Sequence, residues 1–191
     1  MSTTATEFRS RHRWSVADYY KMVEAGLLNE DSTVELIDGE VIEMAPIGSG
    51  HASAVMRLNQ LLGSRVLGRA IVSPQNPVRL DDHSEPQPDI AVLRWRDDFY
   101  RDAHPTPADV LLLIEVADSS TGYDSQVKVP LYARHGIPEV WLIDVNRHRL
   151  TTYRHRQGKA YEEVTEHSSG RVSLEELPDV AIALEELFPG K

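Results

Sequence analysis

The chain has 191 residues, which fits one domain. With 41% hydrophobic and 26% charged residues it has the composition of an ordinary globular protein, not of a disordered or fibrous one. It has no cysteine, which excludes a disulfide framework, a zinc–thiolate site and a cysteine nucleophile. A formal charge of −10 argues against a protein that coats nucleic acid by general phosphate neutralisation, but leaves room for a nuclease with a local basic patch. The longest apolar run, residues 110–114, falls far short of the ~20 residues that span a bilayer. No basic-then-apolar leader is visible, so a cytoplasmic protein without membrane association is expected.

Residues 1–14 read as a flexible tail and 15–191 as a single domain. From Ser15, apolar and aromatic residues recur at helical spacing (Val16, Tyr19, Tyr20, Val23, Leu27), with Gly26 suited to the helix end. Asp38-Gly39 between two β-rich runs predicts a tight hairpin with strands at 33–37 and 40–44. Residues 51–67 read as a helix with a stripe of Val55, Leu58, Leu61, Leu62 and Val66. Strands are expected near 70–73 and 77–80, and again over Ile90–Leu93 after the break at Gln87-Pro88. A polar, aromatic loop follows.

Val110–Ala117 is a nearly continuous apolar run, as in a central strand covered on both faces. Residues 123–135 read as a helix that Pro130 kinks unless it lies in the first turn. A buried strand at 139–145 pairs with one at 149–154, and short weak strands lead to a terminal amphipathic turn at 182–188. The order predicts an α/β layer fold, a mixed sheet flanked by helices.

Glu115, inside L-L-L-I-E-V-A, is the most informative residue. A carboxylate in so apolar a strand either points to water at the strand end, pairs with an arginine, or belongs to a site. Asp89 opens a neighbouring strand. Two carboxylates on adjacent central strands can converge on Mg²⁺, which takes one or two carboxylates, waters and substrate phosphate oxygens. Such an ion activates a bound water for attack on a phosphodiester. Lys128, one of only four lysines, lies on the following helix, either solvated or leaning over that ion. Glu35 on the first hairpin is a further possible ligand. His51 opens the second helix as a phosphate contact, a proton shuttle or an ordinary first-turn residue. Asp124, one turn before Lys128, supports the helix start or pairs with that lysine. Arg147, Arg149, Arg154 and Arg156 form either a phosphate-facing stripe or a solvated face. Neither nucleotide-binding glycine motif is present, nor G-x-S-x-G, nor H-E-x-x-H.

The string V-E-L-I-D-G-E-V-I-E-M-A-P, then His51, P-D-I-A-V-L, L-L-I-E-V-A-D-S-S-T and D-x-x-x-K-x-x-L-Y-A-x-x-G-I-P-E-V-W-L-I-D resembles the Uma2 family from about residue 15 to 188. The resemblance implies the restriction-endonuclease-like fold of the PD-(D/E)xK nuclease superfamily. It also implies a Mg²⁺-dependent endonuclease (Mn²⁺ as substitute) that hydrolyses phosphodiester bonds in DNA. Asp89 and Glu115 match the motif carboxylates, with the Val116 carbonyl as a third metal ligand and Glu35 as the acidic residue of the N-terminal element. The motif lysine falls at Ala117, and the resemblance places its substitute at Lys128. Ala117 and the net charge also fit an alternative, a nuclease-fold binding module that no longer cuts. By analogy with paired nuclease sites, a homodimer is expected.

Overall fold

The computed structural model describes residues 11–28, 32–118 and 120–190. Of the expected tail, residues 1–10 lie outside the described residues. Residues 11–14 are laid against the first hairpin, with Arg13 Nε donating to the Asp38 carbonyl (2.7 Å) and the Trp14 amide to the Gly39 carbonyl (2.9 Å). Helix α1 (Val16–Glu24) starts where the sequence places it. Ser15 Oγ accepts from the Asp18 amide, and Asp18 reaches back to Ser15, which satisfies two otherwise unpaired helix-end donors.

The hairpin joins β1 (Val34–Ile37) to β2 (Glu40–Glu43) through Asp38 and Gly39, both at positive φ (52° and 77°). That pairing is the two-residue turn whose twist matches antiparallel strands. Gly39 is also required by space, since a Cβ there would stand 2.7 Å from Arg13 Cβ.

The central sheet has the order β3 (Ala70–Pro74), β4 (Ile90–Arg94), β5 (Val110–Ala117), β6 (Val140–Asp144), β7 (Arg149–Gln157), β8 (Ala160–His167). Among the described strands β5 and β6 make its parallel pair. Alternate residues of β4 and β5 feed two cores. Ile90, Val92, Leu112, Ile114 and Val116 meet helix α2 (Ser49–Val66) through Val55, Leu58 and Leu62. Beyond that helix, β9 (Arg171–Ser173), β10 (Ala181–Ala183) and α5 (Leu184–Leu187) complete the cover. On the opposite face Ala91, Leu93 and Leu113 meet Ile37, Val78 and helix α4 (Val129–Arg134). Burying each large aliphatic side chain contributes roughly 1.5–3 kcal/mol, so β4 and β5, packed on both faces, are well anchored.

Two expectations need correction and one refinement. Residues 77–80 are not a strand. Val78 and Leu80 are buried in alternation, but the amides of Val78, Arg79 and Leu80 bond to Pro86, Pro105 and Ser84 in turn, so no ladder forms. The helix expected over 123–135 needs refinement: it runs on over residues 121–134 as α3 (Thr121–Tyr123), a π-helical turn (Asp124–Lys128) and α4, with αR backbone at both junctions. Pro130 therefore sits in the first turn of α4, where its missing N–H is harmless. The C-terminal part is not uniformly short and weak, because β7 and β8 pair along a long hairpin from Leu150–His167 to Gln157–Ala160.

Candidate active site

Glu115 and Asp89 meet through strand register. Ile90 stands opposite Ile114, so Asp89, the residue before β4, continues the ladder opposite Glu115. Glu115 shares the face of Leu113 and is only 2% exposed. Its Oε1 accepts a hydrogen bond from the Tyr132 hydroxyl and lies 3.3 Å from Lys128 Nζ. Lys128 also reaches Glu35 Oε2 at 3.1 Å, so one buried ammonium bridges two buried carboxylates. The Gln87 amide donates to the same Glu35 oxygen (3.2 Å).

Asp89 accepts from the Val116 amide (2.8 Å) and pairs with His51 Nε2 (3.0 Å). This contact is made across the sheet edge, because His51 lies in the first turn of α2. Asp124 is buried on the π turn and accepts from Ser120 Oγ (2.6 Å). Among the described residues two buried side-chain polar atoms have no partner, His51 Nδ1 and the Tyr123 hydroxyl. Such orphans are expected where a site awaits water or a bound group.

All these residues except Tyr132 line one cleft of about 540 Å³, between the sheet, the first hairpin and the π turn. Its electrostatics follow from crowding. Burial pushes the Glu115 carboxyl up to about 8, and the negative charges of Asp89, Asp124 and Glu35 add to the rise while Lys128 opposes it. Burial raises Asp124 too, against the Ser120 hydrogen bond and Lys128. Burial alone would lower Lys128, but Glu115, Glu35 and Asp124 outweigh it and hold the ammonium well above its usual range. The hydrogen bond that His51 makes to the Asp89 carboxylate raises the imidazole, against burial.

Asp89, Glu115, Lys128, Glu35 and His51, singled out in the sequence, thus gather in one place. Val116 is there through its backbone. Lys128 reaches Glu115 from the π turn, while Ala117 is buried and bears no functional group. The arginine stripe does not form. Arg149 pairs with Glu166, and Arg154 is drawn inward to the buried Glu139. Tyr132 and Tyr123 were not legible as site residues. The one available signal for Tyr132 is its spacing of four from Lys128, which places both on one helical face.

The all-oxygen donors around Asp89 and Glu115 suit a hard divalent cation better than zinc or copper. Among the described residues no three His, Cys, Asp or Glu side chains stand preassembled for a metal. The donor set offered is two carboxylates and the main chain at Val116. Four carboxyl groups (Glu35, Asp89, Glu115, Asp124) surround one lysine, an excess of negative charge that a cation would neutralise.

Comparison with known proteins gives a consistent answer. A family model, Uma2, described as a putative restriction endonuclease, matches residues 16–185. A crystal structure of a putative nuclease belonging to DUF820 from Anabaena variabilis ATCC 29413 superposes with a TM-score of 0.70 at 18% identity, covering 91% of this chain and 97% of that one. At that identity the likeness shows the restriction-endonuclease-like fold. Among curated proteins no sequence matches. Among the described residues no helix is long and apolar enough to cross a membrane.

Proposed function

The chain belongs to the Uma2 family of putative restriction endonucleases, and from that premise we propose that it hydrolyses phosphodiester bonds in DNA with Mg²⁺ held at Asp89 and Glu115. The observation that carries the reading is the meeting of Asp89, Glu115 and Lys128 in one cleft, from two adjacent strands and a π turn. The coarser statement, a nuclease-like family and fold, rests on the comparisons.

Asp89, Glu115 and the Val116 carbonyl would hold the ion. When bound, Mg²⁺ lowers the pKa of a coordinated water and offsets the charge that develops on the phosphoryl oxygens. The remaining work falls to the chain's own groups. Lys128, bridging Glu35 and Glu115, positions the attacking water and steadies the scissile phosphate. Tyr132 fixes the Glu115 carboxyl in orientation. His51, paired with Asp89, lies where it can contact the phosphate or return a proton to the leaving oxygen. The reaction needs no covalent intermediate, and catalysis rests on positioning and charge neutralisation.

The test is a calorimetric titration of Mn²⁺ into wild type, Asp89→Ala and Glu115→Ala, in the presence of nuclease-resistant DNA. Wild type binds and both variants do not. No binding by wild type at millimolar Mn²⁺ would favour the non-cutting module.

A further inference from the structure

The cleft has two unlike sides. Its floor is acidic, with Glu35 and Glu115 each 2% exposed. Its outer wall is apolar, built by Ile42 and Met44 at the end of the first hairpin and by Pro46 and Ile47 in the loop to α2. Ile47 is 58% exposed, a large aliphatic side chain facing solvent beside a charged floor. The loop is held close over the opening. A Cβ on Gly48 would stand 3.1 Å from Asp118 Oδ2, a close approach between the loop and the end of β5. Tyr123 stands in the same lining with its hydroxyl unpartnered and raised to about 12, by burial first and then by Glu35.

Cations are sparse at this opening. Six carboxyl groups line it, against Lys128 and His51, and among the described residues no arginine does. Lys128, bridging Glu35 and Glu115 in the floor, offers one ammonium and not a row of them. Of the arginines on the β6–β7 hairpin, none lines the opening. Arg149 is paired with Glu166, Arg154 with Glu139, and Arg147 stands 3.8 Å from Asp144. Duplex binding draws most of its affinity from rows of such phosphate contacts. Proteins that grip unpaired strands also track phosphates with positive charge, and add apolar and aromatic side chains that take the bases, which a closed duplex keeps paired and stacked. A cleft of about 540 Å³ is of the size that encloses one drug-sized molecule. It admits a nucleotide or two of a single strand.

We propose that Ile42, Met44, Pro46, Ile47 and Tyr123 form a nucleobase subsite, so that the substrate is an unpaired strand or a strand end whose base packs on this wall while its phosphate reaches the acidic floor. The inference rests on the hydrolase reading for the role of the floor, but the wall is tested separately. The base contributes buried apolar area, and the phosphate's charge is met by the cation and Lys128. Sequence preference at this subsite is slight, since the wall offers packing and few hydrogen-bonding groups.

The experiment uses one fluorescein-labelled oligonucleotide in three forms, single-stranded, blunt duplex, and duplex with a ten-nucleotide overhang. Each is added to wild type and Ile47→Asp in Mn²⁺, with anisotropy reading binding and gel analysis reading cleavage. Ile47 is exposed, so the variant folds as wild type does, which circular dichroism verifies. Wild type binds the single strand and the overhang at least about tenfold more tightly than the blunt duplex, and Ile47→Asp loses about tenfold of single-strand affinity. Cuts fall in unpaired segments. Equal binding of duplex and single strand, or an unchanged affinity in Ile47→Asp, overturns the subsite whether or not the oligonucleotides are cut. Selective, Ile47-dependent binding with no cleavage of any form overturns the hydrolase reading and keeps the subsite.

Discussion

Two glutamates in this protein are buried to nearly the same degree and are partnered in opposite ways. Glu139, just before β6, is 0% exposed and fully partnered. Arg154 Nε (2.7 Å), Trp141 Nε1 (2.7 Å) and the Glu175 amide (2.8 Å) all donate to it. Burial raises its pKa, while these partners oppose the rise. One negative charge meets one positive charge, and the remaining lone pairs are filled. Glu115 is 2% exposed but shares a single ammonium with Glu35 and faces Asp89 and Asp124. A carboxylate desolvated among other carboxylates weakens the fold, whereas one desolvated beside a guanidinium ties strands together. The contrast teaches what separates the two buried acids. The Glu139 neighbourhood is neutral and satisfied, whereas Glu115, Glu35 and Asp124 share one ammonium, the imbalance that the proposed cation would relieve.

The largest effect that would break this comparison is on activity. Asp89→Ala and Glu115→Gln each lower cleavage by about a thousandfold or more, in the range reached when a key electrostatic group is removed from an active site. Glu139→Gln leaves the rate per folded molecule within about twofold of wild type, because no part of it lines the cleft. Rates normalised to the folded fraction decide between them. Comparable losses in Glu139→Gln and Glu115→Gln would erase the distinction.

The next effect is on folding. Arg154→Ala strands the Glu139 carboxylate without its cation, a change that costs roughly 3–5 kcal/mol in buried pairs. For a chain of this size that lowers Tm by about 6–20 °C. Differential scanning fluorimetry reads it directly. Arg149→Ala, whose pair with Glu166 is exposed, moves Tm by no more than about 3 °C.

A pH series sharpens the contrast further. The Glu115 carboxyl titrates near 8 in the fold and near 4.5 as an ordinary glutamate. Between those values the folded state holds a proton that the unfolded state has lost, so stability falls as pH rises through this window. Glu115→Gln removes that penalty. Its Tm matches wild type near pH 5 and exceeds it at pH 9 by several degrees. Mn²⁺ binding requires the ionised carboxyl, so wild-type affinity for the ion rises from pH 6 to pH 9 with release of a proton.

Much of this arrangement is legible in the sequence, and the part that is not has physical causes. Asp38-Gly39 declares its hairpin because a turn with two positive φ angles draws on few residue types. The L-L-L-I-E-V-A run declares both a central strand and an anomalous acid. Residues 77–80 deceive, because alternating burial is shared by a strand and by an extended loop whose amides find partners one at a time. The π turn is illegible since it adds a residue to a helical turn without changing composition. Its trace is Pro130, which demands a helix start just before it. Glu115 sits in an apolar strand and Glu139 at the start of another apolar run, and only the distant partners, Arg154 for Glu139 and Lys128 for Glu115, tell them apart. Tyr132 reads as an ordinary core aromatic because its hydroxyl's partner, Glu115, lies 17 residues back on another element.

The smallest effect concerns that tyrosine. Tyr132→Phe keeps the ring, which is 0% exposed and packed in the second core, and deletes only the hydroxyl that donates to Glu115. Losing one donor to a buried acid costs about 1 kcal/mol, a Tm change of about 2–4 °C. Lys128 still contacts Glu115, so the carboxyl stays in the site but with its orientation held from one side. A positioning role predicts that kcat falls several-fold while the KM for the oligonucleotide changes little, and that Mn²⁺ binding weakens in parallel. A purely structural role predicts the same Tm change with kcat and Mn²⁺ affinity intact. The two outcomes separate a tyrosine that serves the acid from one that merely fills the space beside it.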